Sequence, residues 1–177
     1  MIKKRFSNPV IKDTIELISD SNEKLIFNTY LQPKGGQTNR HYHTKLTEEF
    51  CVLEGELFLT LNQKNLTLKK GEVITIHPYD VHKFTNTTNK TVIFKVEVYP
   101  SGQISKGLQI IYGLANSGKT LKNGLPHNIF NIAISLNMMD AYIPNVPLGI
   151  QKTGIQLLAF LGKILGIEKK LIRQFVR

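Results

Sequence analysis

A change of hydrophobic period near Pro100-Ser101-Gly102 divides the chain into two halves that cannot fold the same way. Before it, short stretches alternate apolar and polar residues: Thr14–Ile18, Lys24–Leu31, Arg40–Thr44, Glu49–Leu53, Glu56–Leu61, Leu66–Leu68, Glu72–His77, Val81–Thr85 and Thr91–Tyr99. Polar turns such as Asn62-Gln63-Lys64-Asn65 and Asn86-Thr87-Thr88-Asn89 separate them, which predicts an antiparallel sandwich or barrel. Val92, Phe94, Val96 and Val98 then share one strand face, and Leu57, Leu59, Leu61, Leu66 and Leu68 are expected to point inward in the same way. After the break, apolar residues recur every three or four positions, the helical spacing.

Charge shifts at the same place. Residues 1–100 carry 14 basic and 11 acidic side chains, whereas residues 101–177 carry 9 basic ones against Asp140 and Glu168 alone. We therefore expect a β domain over residues 1–100 and a basic, apolar helical extension over 101–177. With 41% hydrophobic residues the chain can bury a core, and no run is long enough to span a bilayer. A single cysteine, Cys51, excludes an internal disulfide framework and suits a reducing, cytoplasmic compartment.

Four side chains have metal-ligand chemistry in a suggestive arrangement. His41 and His43 stand two apart on one expected strand, so both imidazoles project from one face. Glu48 begins the next strand and His82 another. Donors from three antiparallel strands can converge inside a small barrel, and such a set suits a divalent transition metal: Fe, Mn, Ni, Cu or Zn.

These residues resemble the two sequence motifs of the cupins. Gly35, five residues, His41-Tyr42-His43, four residues, Glu48, six residues and Gly55 fill every position of the first motif. Gly71, His82 and Asn86 match the second, but His77 stands where that motif has Pro and Tyr79 where it has Gly. The resemblance implies a mainly β, antiparallel jelly-roll barrel (a double-stranded β-helix of the single-domain, conserved-barrel type), followed here by about three helices. It also implies metal ligation by His41, His43, Glu48 and His82. Cupins of this type include dioxygenases, isomerases and oxalate-degrading enzymes. They often dimerise, so a homodimer and a small-molecule substrate or ligand are the implied partners.

Strand parity places Phe50 and Val52 with Glu48, and Phe84 and Asn86 with His82, as pocket-lining residues. On Lys24–Leu31, either Phe27 and Thr29 or Ile26, Asn28 and Tyr30 face inward. Acid–base candidates beyond the ligands are few: His77, Tyr79 and Tyr30. Two function classes follow: a metal-dependent enzyme of dioxygenase or isomerase type, and a non-catalytic metal-containing binding or sensing module.

The helical half contains Gly113-Leu-Ala-Asn-Ser-Gly118-Lys119-Thr120, a letter-for-letter Walker A pattern. Phosphate binding requires a strand feeding the loop and a helix leaving it, whereas a helix over Ile104–Ala115 is expected before this loop and Asn123-Gly124 and Pro126 follow it. A second helix through Ile129, Ile132, Leu136, Met139 and Ile143 should end at Pro144, and a long third one should run from about Leu148 to Val176. The apolar surface of the last has three possible destinations: the outside of the barrel, a dimer partner, or an anionic membrane touched peripherally through residues 148–177. Nucleic-acid binding is disfavoured, because its basic residues are interleaved with aliphatic rather than aromatic ones.

Overall fold

The computed structural model describes residues 4–177 and contains eleven strands and four helices. Six strands form the main antiparallel sheet. They are β1 (Arg5–Asn8), β2 (Asp13–Asp20), β3 (Leu25–Leu31), β10 (Val92–Tyr99), β5 (Thr47–Glu54) and β8 (Val73–Ile76), in that spatial order. A three-stranded sheet pairs β6 (Glu56–Leu61) with β7 (Lys64–Lys69) on one side and β9 (His82–Thr85) on the other. The alternating residues behave as the period-two rule requires. On β10, Val92, Phe94, Val96 and Val98 are buried while Ile93, Lys95 and Glu97 are half-buried.

Side chains from both sheets meet in one apolar cluster, with the rings of Phe50, Phe84 and Phe94 at centroid separations of 5.0 to 6.0 Å. Leu57, Leu59 and Leu68 point into it as expected, while Leu61 at the end of β6 and Leu66 on β7 are only half-buried. The hydrogen bonding does not close, which corrects the expected barrel. The main sheet is open, with β1 and β8 as its edges, and the three-stranded sheet is a separate ladder.

The helical half also departs from expectation in its breaks. Helix α1 (Ile104–Asn116) lies where the periodicity puts it. Helix α2 (Ile129–Met139) stops four residues short of Ile143, because Asp140 turns left-handed at φ 50° and the chain continues as a two-residue strand, β11 (Ala141–Tyr142). That strand pairs with β4 (Tyr42–His43), a hydrogen-bonded link between the two halves of the chain. The expected final helix is two helices, α3 (Leu148–Ile164) and α4 (Ile167–Phe175), giving four rather than about three. Gly166 takes φ 73° between them, a conformation costly for residues with a Cβ. The Walker-like segment starts inside α1 and has no strand before it, so Gly118 caps a helix C-terminus instead of opening a phosphate loop.

Helix α1 belongs to two cores. Ile104 and Tyr112 pack into the sheet cluster, whereas Ile110 and Leu114 pack with Ala133, Ile134 and Met138 of α2. Its attachment includes a buried polar contact: the Tyr112 hydroxyl donates to Asp13 Oδ2 at 2.5 Å. Burial pushes the Asp13 carboxyl from 3.8 up to about 7, against the opposing effect of the Tyr112 hydrogen bond. The folded chain therefore holds a proton that the unfolded chain has released, so this group's contribution is full below pH 4 and lost as pH rises through about 7. Asp13→Asn, which keeps an acceptor for Tyr112 without the charge, should flatten that dependence. Chemical denaturation at pH 4 and pH 7.5 should show the variant gaining stability relative to the parent by up to about 4 kcal/mol at the higher pH. An unchanged difference would contradict a buried, proton-bound Asp13.

Candidate metal centre

Each candidate ligand is delivered by backbone pairing. His41 and His82 form an antiparallel bridge, with His41 N–H donating to the His82 carbonyl at 3.0 Å and His82 N–H to the His41 carbonyl at 2.8 Å. His43 lies two residues on, in β4, and Glu48 is the second residue of β5, paired with Val98 and Ile76. The segment before His41 is drawn against β9 at Gly36, where a Cβ would stand 2.7 Å from the Phe84 carbonyl oxygen; only glycine fits so close an approach. The turn leading to His82 is tied to the strand that carries His43. Tyr79, where the resemblance expects Gly, itself adopts φ 72°, and its N–H donates to the His43 carbonyl at 2.7 Å.

One ring nitrogen from each of His41, His43 and His82 lies within 4.8 Å of the others. Their ring centroids are 4.4 to 5.6 Å apart. Glu48 Oε2 approaches His82 Nε2 to 2.9 Å and His43 Nε2 to 3.6 Å. His43 and His82 are spoken for on their other nitrogen. His82 Nδ1 sits 2.9 Å from the Asp80 carbonyl, and His43 Nδ1 sits 3.0 and 3.1 Å from the carbonyls of Met139 and Asp140. Carbonyl oxygens only accept, so both Nδ1 atoms carry the hydrogen, and in the neutral rings Nε2 is a bare lone pair.

The facing atoms are left without partners. His43 Nε2, His82 Nε2 and Glu48 Oε2 are buried with no hydrogen bond, for a bare Nε2 and a carboxylate oxygen 2.9 Å apart are both acceptors. A buried carboxylate oxygen beside imidazole lone pairs is a costly arrangement unless a cation sits among them. The donor set therefore fits a divalent transition ion. The charges agree. Burial raises the Glu48 carboxyl, but His43 and His82 outweigh it and hold it well below the usual range. His41 is held well below the ordinary histidine range, by desolvation first and then by His82 and His43, which keeps it neutral and able to bind metal. Burial opposes charge on His43 as well, but Glu48 and the Asp140 backbone and carboxylate raise it overall.

The surroundings are apolar. Phe50, Val52 and Phe84 are buried in the sheet core, and on β3 it is Phe27 and Thr29 that face inward. Asn86 is also buried, but its amide donates to the carbonyls of Leu31, Gln32 and Lys90 and its oxygen accepts from Thr88, so it clamps a loop. His77 and Tyr79 are exposed, and the Tyr30 hydroxyl is bonded to Glu16 at 2.9 Å.

Comparison with known proteins bears on the fold that carries this cluster. Residues 28–99 match the family model described as a cupin domain. That stretch is similar to a cupin domain. Among solved structures, a sugar phosphate isomerase of the cupin superfamily from Silicibacter pomeroyi superposes with a TM-score of 0.51, at 20% identity over 55% of this chain and 71% of that one. An RmlC-like cupin from Shewanella frigidimarina gives 0.50, at 13% identity over 56% of this chain and 85% of that one. At these identities the likeness is one of fold. An uncharacterised protein from Methanocaldococcus jannaschii is 37% identical over 57 residues, which are 32% of this chain and 46% of the relative, so the chain spans less than half of that relative's length.

The helical half, outside the matched cupin domain, supplies a residue that sequence reasoning missed. Asp140 ends α2, and its backbone carbonyl accepts from His43. Its carboxylate accepts from the N–H groups of Thr44 at 2.6 Å and Lys45 at 2.8 Å and from the Thr44 hydroxyl. The stretch that follows His43 is thus fastened to the end of a helix almost a hundred residues away in sequence. The one available signal was that Asp140 is one of only two acidic residues after position 100. Asp140→Gly keeps the left-handed turn and removes only the carboxylate. We expect a loss of about 1–3 kcal/mol in stability and of roughly tenfold or more in transition-metal affinity of the cupin site, read by chemical denaturation and by calorimetric titration of the apo chain. Parental values in both would show that the carboxylate does not position His43.

Proposed function

We propose that this protein is a metal-dependent cupin acting on a small organic molecule, with His41, His43, Glu48 and His82 as the metal ligands. The observation carrying the reading is the convergence of three orphaned buried atoms, His43 Nε2, His82 Nε2 and Glu48 Oε2, next to a neutral His41. A divalent transition ion there supplies Lewis-acid polarisation of a bound oxygen donor or a centre for dioxygen chemistry. The chain's own part is to hold the donors in register through the His41–His82 bridge and the carbonyls behind His43 and His82, and to keep the surroundings dry with Phe50, Val52 and Phe84. This favours dioxygenase-like or isomerase-like chemistry in a cytoplasmic setting.

A second reading is favoured by a specific observation. Of the acid–base candidates, His77 and Tyr79 are exposed and Tyr30 is engaged by Glu16, so no side-chain proton carrier accompanies the ligands among the residues singled out. Such a site suits a ligand-binding or sensing module without turnover, the helical half carrying the signal or the homodimer contact.

Elemental analysis tests the metal on which both readings rest. Tag-free protein purified without chelator should carry close to one equivalent of Fe, Mn, Ni, Cu or Zn, lost in His41→Ala/His43→Ala while the far-ultraviolet spectrum keeps its β signature. No metal in the parent, and none taken up on addition, would remove the metal-dependent reading. With metal present, oxygen uptake or sugar isomerisation in substrate screens marks the enzyme, and tight ligand binding without turnover marks the sensor.

A further inference from the structure

Helix α3 turns its narrow side to the protein and its broad apolar side away from it. Of its seventeen residues only Ala159 and Gly162 are fully buried, and they are small for a reason: a Cβ on Gly162 would lie 2.9 Å from Ile134 Cδ1 of α2. On the other side, Ile150 is 69% exposed, Leu157 57%, Phe160 60%, Leu161 39% and Ile164 65%, and Leu165, which caps the helix, is 63% exposed. At 100° per residue these six fall within an arc of about 140°. That is the width of stripe by which a surface helix normally buries itself in its own protein. Among the described residues nothing covers it, and so large an apolar surface marks a contact.

Charge decides between the candidate occupants. Over residues 148–177 there are six basic side chains (Lys152, Lys163, Lys169, Lys170, Arg173 and Arg177) against Glu168 alone. Lys163, Lys169, Lys170 and Arg173 are exposed. A second copy brought onto this face would set two strongly basic segments against each other, an arrangement that like-charge repulsion opposes. A surface of negative headgroups over acyl chains satisfies both halves of the pattern. No described helix is long and apolar enough to cross a membrane, so the geometry is one of lying in the interface.

We propose that the outward face of α3, together with the basic residues of α4, docks on an anionic lipid bilayer, with the six apolar side chains immersed among the headgroups and upper acyl chains. The cupin domain is thereby held at a membrane surface. This inference stands apart from the metal reading, since it uses none of the ligand residues.

Co-sedimentation of the full chain with vesicles tests it. Vesicles of phosphatidylcholine mixed with phosphatidylglycerol should retain the protein at least about tenfold better than phosphatidylcholine alone, and added salt should weaken the retention. The triple variant Leu157→Ser/Phe160→Ser/Ile164→Ser should lose at least tenfold. It alters only exposed positions, and an unchanged circular dichroism spectrum and melting temperature would show that it still folds. Should it fail to fold, Lys169→Glu/Lys170→Glu serves instead, with loss of the preference for anionic vesicles expected. The proposal is overturned by no retention on either vesicle, by equal retention on both, or by parental retention of a folded variant. It is equally overturned if sedimentation equilibrium shows a dimer that the triple variant dissolves while vesicles retain nothing, for then a second copy covers the face.

Discussion

The two-residue pairing of β4 with β11 brings the C-terminal end of α2 against His43, and much of the site's character depends on that junction. A helix ends with carbonyls that have no partner in the next turn. Here two of them, from Met139 and Asp140, meet the Nδ1–H of a buried imidazole. The helix end gains a donor, and the histidine gains a fixed tautomer and ring orientation. Neither half of the chain could provide this alone, because the ring comes from the sheet and the carbonyls come from the helices. The left-handed Asp140 makes the geometry possible: it stops the helix, turns the chain into β11, and places its carboxylate over the N–H groups of Thr44 and Lys45.

Burial then sets the chemistry of the donors. In water three imidazoles and a carboxylate would titrate nearly independently around their ordinary values. Packed together with little solvent they cannot. Charge on His41 is opposed by desolvation and by two neighbouring rings, while Glu48 is stabilised as an anion by His43 and His82. Glu48 and Asp140 raise His43 against its burial, while desolvation and the two neighbouring rings keep His41 neutral. The result is a neutral His41 together with one carboxylate, the protonation state in which such residues bind a transition ion.

The parts legible in the sequence were those with a period or a fixed spacing. Alternation located most of the strands, because each has one face in an apolar cluster and the other turned to solvent. His41, His43, Glu48 and His82 could be singled out because three strands and one bridge impose their separations. Strand β11 could not be, since two residues carry no period; it exists because β4 offers it an edge. Strand β1 was passed over for a similar reason: Arg5–Asn8 has only a partial alternation, and its place comes from pairing with β2 and from the Arg5–Glu16 ion pair. The length of the last helix was overestimated because Gly166 is surrounded by good helix formers, and only its φ of 73° shows that it divides two helices. The inward set on β3 was undecidable from its pattern, because Leu25–Leu31 is apolar or small and polar on both parities.

The Walker-like octet shows from the other side why spacing needs a fold before it carries chemistry. The histidine motif and this octet match their patterns equally well as letters. The histidines lie on strands whose pairing forces their side chains together, so the spacing becomes a distance. In the octet Gly113 lies within α1, where a Cβ would stand 2.2 Å from the Phe175 ring, so this glycine is required by helix packing. Gly118 is left-handed just after the helix ends, and its N–H donates back to the Ala115 carbonyl. The backbone N–H groups of Ser117, Gly118 and Lys119 are thus used to satisfy carbonyls of α1 at its negative end, the opposite of what an anion requires. Each glycine has a physical reason for its place, and none of those reasons is a phosphate.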